Sequence, residues 1–263
     1  MIISALISVI LINSNPVAEC NGYKAYEDDS SVVVLNPYHR KIVELKYRGE
    51  NVPEVRLTDK GQLVAFYPAT YKLSVVDSGN KWIFNFHPDK NWYEIESYSA
   101  FDVQGNLMAV AYFLNGKTYF IAFKNFKRLF KNTYSSLFPA GLWIRNGKIF
   151  LRLYRVKNNA ITEDFVVSPL DNHEWKIPKI IAVDFDGSKL VFATRKKIMV
   201  FRDGKVREEI AKGIILDVKL SKGIPIMLVK IRGRGVFIQK SGGVLKPVKN
   251  TFERFRRCYD QQG

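Results

Sequence analysis

The chain repeats one pattern of apolar and polar positions at least five times. In each copy, apolar residues at alternate positions lead into a short polar turn with a glycine, and a continuous apolar run follows. Alternation with a period of two is typical of a strand with one buried face, and a short apolar run between turns is typical of a strand buried on both faces. Each copy therefore predicts a β-hairpin. The copies are residues 52–67, 97–113, 138–154, 179–194 and 213–229.

The turn glycines recur at a nearly constant spacing. They are Gly61, Gly105, Gly147, Gly187 and Gly223, which lie 44, 42, 40 and 36 residues apart. Glycine suits such turns because it adopts positive φ without steric cost. A third predicted strand follows most hairpins, at 72–77, 118–123, 197–201 and 235–239. A unit of three or four short strands every ~40–45 residues corresponds to one propeller blade.

This period and strand pattern resemble those of WD40-like β-propellers over residues 25–245. The resemblance concerns period and pattern, because the Gly-His and Trp-Asp pairs of true WD repeats are absent. Residues 23–47 supply further strands without the diagnostic glycine and are predicted as a sixth unit. The chain is thus predicted to be all-β, with one propeller domain over 1–263 and six blades of four strands. A β-sandwich or two small barrels is the competing fold, but neither explains a regularly spaced glycine.

The two ends of the chain depart from the repeat. Unit boundaries are predicted near 25–66, 67–112, 113–153, 154–193 and 194–245. The apolar residues 1–12 are predicted as an N-terminal strand, and residues 246–263 as a segment that closes or caps the ring. Within that segment, Asn250 followed three residues later by Glu253 predicts the start of a short C-terminal helix.

The net charge of +16 is concentrated in the second half of the chain. Residues 1–131 contain 15 Lys and Arg against 13 Asp and Glu, whereas residues 132–263 contain 26 against 12. This asymmetry gives a compact molecule a positive side, which favours nucleic acid, an acidic protein or an anionic surface as partner. The alternative is a general contribution to solubility.

Cations cluster at three places that predict polyanion binding. In residues 123–131 they alternate with aromatic residues, a combination that suits phosphate contacts beside base stacking. The turns at 195–197 and 230–235 occupy corresponding places in successive units and are expected side by side on one face. The C-terminal segment holds the third cluster. The predicted binding residues are Lys124, Lys127, Arg128, Arg195, Lys196, Lys197, Lys230, Arg232, Arg234, Arg254, Arg256 and Arg257.

The sequence shows no established catalytic or metal-binding motif. HExxH, GxSxG, Walker and GxGxxG patterns are missing, and the three histidines lie in turn-like surroundings. Aspartates recur near the repeated turns, where such residues usually accept backbone hydrogen bonds. They are Asp59, Asp102, Asp184, Asp186 and Asp217. No cofactor is predicted, and a hydrolase or lyase with an axial pocket remains the enzymatic alternative.

The two cysteines, Cys20 and Cys258, lie near opposite ends of the chain. The ends of a circular fold meet, so these cysteines are a candidate disulfide that would close a very long loop; two separate thiols are the alternative. Residues 1–12 lack a preceding cation and are shorter than the ~17–25 residues of a bilayer span. A cytoplasmic protein without a transmembrane segment is therefore predicted. If residues 1–18 are instead a signal peptide, a secreted or virion protein of viral or archaeal origin is expected.

Taken together, these patterns predict a non-catalytic β-propeller scaffold. Its basic face is expected to dock a polyanionic partner, either nucleic acid or an acidic protein of a larger assembly.

Overall fold

The computed structural model describes residues 16–28, 30–47, 53–67, 72–85, 98–240 and 245–247. Within these ranges the chain forms 24 strands and no helix, and the strands make six four-stranded sheets. Every sheet is an antiparallel meander of four consecutive strands. The predicted six-bladed, all-β propeller is therefore confirmed.

The first three blades lie before residue 136. Blade 1 consists of β1 (Ala18–Cys20), β2 (Tyr23–Glu27), β3 (Ser31–Leu35) and β4 (Lys41–Lys46). Blade 2 consists of β5 (Glu54–Leu57), β6 (Leu63–Tyr67), β7 (Lys72–Val76) and β8 (Lys81–Asn85). Blade 3 consists of β9 (Ser99–Gln104), β10 (Leu107–Leu114), β11 (Lys117–Lys124) and β12 (Lys127–Ser135).

The other three blades follow in the same order. Blade 4 consists of β13 (Phe138–Arg145), β14 (Lys148–Lys157), β15 (Ala160–Ser168) and β16 (His173–Trp175). Blade 5 consists of β17 (Ala182–Phe185), β18 (Leu190–Ala193), β19 (Lys197–Arg202) and β20 (Lys205–Ile210). Blade 6 consists of β21 (Ile214–Ser221), β22 (Ile224–Ile231), β23 (Gly235–Lys240) and β24 (Leu245–Pro247).

The core is divided into layers between neighbouring blades. Five buried apolar clusters lie between blades 1 and 2, 2 and 3, 3 and 4, 4 and 5, and 5 and 6. Successive side chains of a strand point to opposite sides, so Val64 and Phe66 of β6 pack toward blade 3 while Leu63 and Ala65 pack toward blade 1. This is why second strands such as β6 and β18 are continuous apolar runs: both of their faces are buried.

Strand direction sorts the turns onto two faces of the ring. In a meander, the turns from first to second and from third to fourth strand lie at one end, which we call the glycine face. The turns from second to third strand and the connections between blades lie at the other end, the linker face. Contacts between neighbouring glycine turns support this arrangement: the Gly147 N–H donates to Gln104 Oε1 at 3.0 Å, and Lys189 Nζ donates to the Gly223 carbonyl at 2.6 Å.

The repeated glycines occupy the predicted turns. All five lie between the first and second strands of blades 2 to 6, with φ from +55° to +98°. Blade 1 also has such a glycine, Gly22 with φ +77°, one period before Gly61. The predicted unit began at Tyr23 and so left out both Gly22 and strand β1.

The blades are framed differently from the predicted units. The predicted boundaries at 66/67, 112/113, 153/154 and 193/194 fall within second strands or directly at their ends, rather than between sheets. A repeating pattern determines its period but not its starting point, which explains the offset. The predicted N-terminal strand (1–12) and C-terminal helix lie outside the described residues, whereas residues 245–247 form β24. In the described ranges, no helix has the length and apolarity to cross a membrane.

Candidate polyanion-binding groove

The two predicted basic turns lie at equivalent positions of neighbouring blades. Residues 194–196 connect β18 to β19 in blade 5, and residues 232–234 connect β22 to β23 in blade 6. Both connect second to third strands, so both lie on the linker face. The Thr194 hydroxyl accepts a hydrogen bond from the Lys197 N–H at 3.2 Å and shapes the first turn. Gly233, with φ +73°, permits the second turn.

A groove on the linker face joins these two turns. Its larger part, of ≈ 850 Å³, includes residues of blades 4 and 5, and its smaller part, of ≈ 480 Å³, includes residues of blades 5 and 6. Lys196 and Ile210 line both parts, so the two adjoin at these side chains. We call this surface the basic groove. Its cations are Arg152, Lys179, Arg195, Lys196, Lys197, Lys212, Lys230 and Arg232.

Most cations of the basic groove have no carboxylate partner in the described part of the chain. The exceptions are Arg152, which pairs with Asp164 at 2.7 Å, and Lys197, which pairs with Glu208 at 2.7 Å. The segments that carry the others contain no Asp or Glu; they are 176–181, 194–196, 211–214 and 230–234. A concave surface with one sign of charge focuses its field and raises the local concentration of anions.

Backbone hydrogen bonds hold the wall of the groove. The connection between blades 5 and 6 is bonded to the blade 5 turn, where the Ala211 N–H donates to the Lys196 carbonyl at 2.9 Å and the Ile215 N–H donates to the Arg195 carbonyl at 2.8 Å. On the other side, a Cβ at Gly213 would lie 2.6 Å from the Lys230 carbonyl oxygen. Only glycine permits this close approach, so the connection and β22 are packed directly together.

The basic groove also has apolar side chains that face solvent. Ile210 is 76% exposed and Ile214 is 53% exposed, and both line the groove among its cations. Aromatic side chains do not line either part of the groove in the described residues. The surface therefore combines positive charge with aliphatic contacts and lacks a platform for base stacking.

The structure does not bring the cluster at residues 123–131 to this groove. Lys124 and Lys127 flank the turn between β11 and β12, on the glycine face, and Arg128 follows in β12. The Phe126 ring stacks on Trp82 of blade 2, with centroids 4.5 Å apart and an interplanar angle of 4°. Phe130 packs against the core between blades 3 and 4. The aromatic residues of this segment thus have packing partners within the fold.

The remaining predicted cations are not groove residues of the described structure. The Arg234 guanidinium lies 5.8 Å from the centroid of the Phe237 ring, beside the blade 6 turn. Arg254, Arg256 and Arg257 lie outside the described residues. Sequence reasoning missed Arg152, Lys179 and Lys212, which come from a strand and from two connections between blades. Lys179 and Lys212 lie in connections between blades, so they could have been identified only once the ends of each blade were known.

Two of the recurrent aspartates accept hydrogen bonds from the backbone of the next blade. Asp102 and Asp184 each lie three residues before a turn glycine, on the first strands of blades 3 and 5. Asp102 Oδ2 accepts the Ile144 N–H of blade 4 at 2.9 Å, and Asp184 Oδ2 accepts the Leu220 N–H of blade 6 at 2.6 Å. These carboxylates are thus used for inter-blade contacts.

Burial is the largest influence on the pKa of two carboxyls in first strands, Asp184 and Asp217. It raises the pKa of Asp184 and Asp217 above the ordinary value, while the N–H groups of Leu220 and Val218 and the nearby Arg145 partly oppose that rise. Within the described ranges, no group of three or more His, Cys, Asp or Glu is arranged to hold a metal ion.

Cys20 ends β1, is 1% exposed and is disulfide-bonded. The chain's other cysteine, Cys258, lies outside the described residues, so the predicted pairing of the two stays a prediction.

No protein-family model matches the chain, and no curated protein matches it in sequence. Solved structures do match in fold. A chain of the mitotic checkpoint complex superposes with a TM-score of 0.55 at 13% identity, covering 89% of this chain and 79% of that one. The Cps50 (Swd1) β-propeller domain of Myceliophteria thermophila gives a TM-score of 0.53 at 10% identity, covering 89% and 86%.

Enzymes also contain this fold. The acylaminoacyl peptidase of Pyrococcus horikoshii superposes with a TM-score of 0.53 at 14% identity, covering 89% of this chain and 43% of the peptidase. This chain thus spans less than half of that enzyme. At such identities the likeness defines the fold alone. The class that the fold defines is that of the β-propellers, as the repeat period of the sequence predicts.

Proposed function

We propose that the protein is a non-catalytic binding scaffold that docks a polyanionic partner through the basic groove. The observation that carries the proposal is the set of groove cations, from blades 5 and 6 and their connection, that have no carboxylate partner among the described residues. The β-propeller fold is in general well suited to a binding scaffold. The hydrogen-bonded wall at residues 211–215 favours a preformed site, which lowers the entropic cost of binding.

The proposal makes binding depend on salt. A partner with several phosphates or carboxylates displaces counterions when it meets the groove, so its affinity falls as ionic strength rises. Cations without a neighbouring carboxylate contribute most, because they need not give up an existing ion pair. Lys196, Lys230 and Arg232 meet this condition in the described structure.

A matched pair of variants tests the proposal. The groove variant is Lys196→Ala/Lys230→Ala/Arg232→Ala. The opposite-face variant is Lys124→Ala/Lys127→Ala/Arg128→Ala, which removes the same number of lysines and arginines from blade 3. Binding of the full chain to labelled single-stranded DNA, RNA and polyglutamate is measured by fluorescence anisotropy across a salt series.

We expect the groove variant to lose about tenfold or more in affinity for at least one probe, and the opposite-face variant to lose about twofold or less. The groove variant should also show a shallower salt dependence. Equal losses in the two variants would mean that net charge, rather than the groove, determines binding, and would refute the proposal.

The disulfide at Cys20 favours a second proposal, that the protein works in an oxidising compartment. Disulfides persist in secreted and surface proteins and are reduced in most cytosols. This supports the secreted or virion alternative over the cytoplasmic prediction. Intact-mass analysis of the protein from its native source tests it: loss of the first residues together with the absence of free thiol supports the proposal. An intact N-terminus with two free thiols contradicts it.

A further inference from the structure

We infer that the occupant of the basic groove is an acidic protein segment that carries aliphatic side chains, rather than a nucleic acid. This inference rests on the proposed function, since it identifies the partner of the same groove. The exposed isoleucines Ile210 and Ile214 distinguish the two kinds of partner, because charge complementarity alone does not explain them.

Ile210 and Ile214 frame the connection between blades 5 and 6. Ile210 is the last residue of β20 and lines both parts of the groove; Ile214 is the first residue of β21 and lines the smaller part. Their exposed fractions, 76% and 53%, leave most of each side chain in water. Burying such aliphatic surface contributes favourably to binding only when the partner brings apolar groups of its own.

Lys196 and Lys212 lie among these isoleucines and line the same depression. A carboxylate-bearing segment with leucine, isoleucine or valine near its acidic residues meets both features at once. Its carboxylates approach the lysines, and its aliphatic side chains cover the isoleucines. The connection itself contains no acidic residue that would repel such a segment.

A nucleic acid complements the cations of the groove but not its exposed isoleucines. Phosphates would meet the cations, but single strands gain much of their remaining affinity by stacking bases on aromatic rings. The lining of both parts of the groove, as described, has no aromatic side chain. The aromatic residues of the other basic cluster are on the glycine face and are packed against blade 2 or the core.

The test compares three fluorescein-labelled probes on the full chain. The first is a short peptide of glutamates interrupted by leucines, the second has serine in place of each leucine, and the third is an oligo(dT) strand of equal charge. The apolar variant is Ile210→Ser/Ile214→Ser. Its control is Val206→Ser/Ile224→Ser, which removes aliphatic side chains of comparable exposure, 55% and 50%, that do not line the groove. Thermal melts confirm that both variants are folded.

We expect the leucine peptide to bind about tenfold more tightly than the serine peptide, since the two carry equal charge. The apolar variant should abolish this preference and retain the weaker, salt-dependent binding of the serine peptide. The control variant should keep the preference.

Two results overturn the inference and leave the proposed function intact. One is equal binding of the two peptides to the wild-type chain, with loss of both in the groove variant. The other is tighter binding of oligo(dT) than of the leucine peptide, unaffected by the apolar variant. Failure of all three probes to bind refutes the proposed function as well as the inference.

Discussion

Arg145 joins three blades through its guanidinium. It lies in blade 4, and its side chain is 11% exposed. Nη1 donates to Asp102 Oδ2 of blade 3 at 2.9 Å, and Nε donates to the Val183 carbonyl of blade 5 at 3.1 Å. Transfer of such a charge out of water costs several kcal/mol, so its partners determine whether it stabilises the fold.

We expect Asp102→Ala to lower the free energy of unfolding by ~3–5 kcal/mol, because it removes the carboxylate that faces a buried guanidinium. It also removes the acceptor of the Ile144 N–H. Urea denaturation followed by tryptophan fluorescence measures the change. Asp203→Ala, which removes an exposed partner of Arg202, is the control and should cost less than ~1 kcal/mol. A loss for Asp102→Ala no larger than that of the control would contradict the expectation.

Asp217 predicts a pH dependence of stability. Burial raises its pKa in the folded state above the ordinary value of 3.8, so the native state holds the proton more tightly than the unfolded chain. The carboxyl's contribution to stability therefore falls as pH rises from 3.8 through the folded-state pKa. Asp217→Asn carries no charge and keeps an oxygen for the Val218 N–H. We expect this variant to gain stability relative to wild type between ~pH 4 and pH 7, measured by urea denaturation at several pH values.

Asp77 is a control in which the pKa of the carboxyl is shifted in the opposite direction. The Gly79 N–H lowers the pKa of its carboxyl, so its contribution is present above 3.8 and is lost as pH falls through the folded-state value. Asp77→Asn should be less stable than wild type at neutral pH and approach it in acid. Parallel pH curves for Asp217→Asn and the wild-type chain would show that the Asp217 carboxyl is not the source of the effect.

At the scale of elements, a strand was easier to predict from the sequence the more of its surface is buried against neighbouring strands and blades. Second strands such as β6 and β18 are buried throughout, so their apolar runs were recognised directly. Outer strands such as β12 and β20 contact one neighbour and otherwise face solvent, so they are polar and gave little signal. β1 has only three residues, too few to show alternation. The repeat period was therefore predictable from the sequence, whereas the residues at which each blade begins and ends were not.

Two turn glycines separate backbone strain from steric clash. Gly61 and Gly116 have φ +77° and +74°, but a Cβ at Gly61 would lie 2.4 Å from the Tyr23 ring, whereas a Cβ at Gly116 would have no neighbour within 4 Å. We expect Gly116→Ala to cost ~1 kcal/mol for the backbone and Gly61→Ala to cost a further ~1–3 kcal/mol for the clash. Thermal and urea unfolding of the two variants measure the difference. Equal costs would mean that Tyr23 moves aside freely.

At the scale of the whole molecule, topology decided which predicted cations meet. The turns at residues 194–196 and 232–234 were expected side by side because they are equivalent in successive units, and Lys196 and Arg232 do line one groove. Alternation of strand direction puts Lys124 and Lys127 at the other end of their blade. Lys179 and Lys212 join the groove from connections whose position depends on the assembled ring, so local sequence could not reveal them.

The disulfide predicts a stability that depends on redox state. Cys258 is the other cysteine of the chain, and its predicted bond with Cys20 would close a loop that spans most of the sequence. Closing so long a loop stabilises the fold by ~4–5 kcal/mol in the chain-entropy model. Cys20→Ser and reduced wild-type protein should therefore lose a similar amount, measured by urea denaturation. Non-reducing peptide mapping should recover the two cysteines in one linked fragment; two separate thiol peptides would contradict the pairing.

In the described part of the chain, every sheet consists of strands that are consecutive in sequence. Each blade can therefore pair its strands as soon as its own stretch has left the ribosome, without waiting for residues from the far end. Hydrogen bonding within the sheets then involves short loop closures, which favour rapid, local folding. The apolar layers between neighbouring blades likewise join stretches that follow each other along the chain, so packing of the described residues can proceed in the order in which they are synthesised.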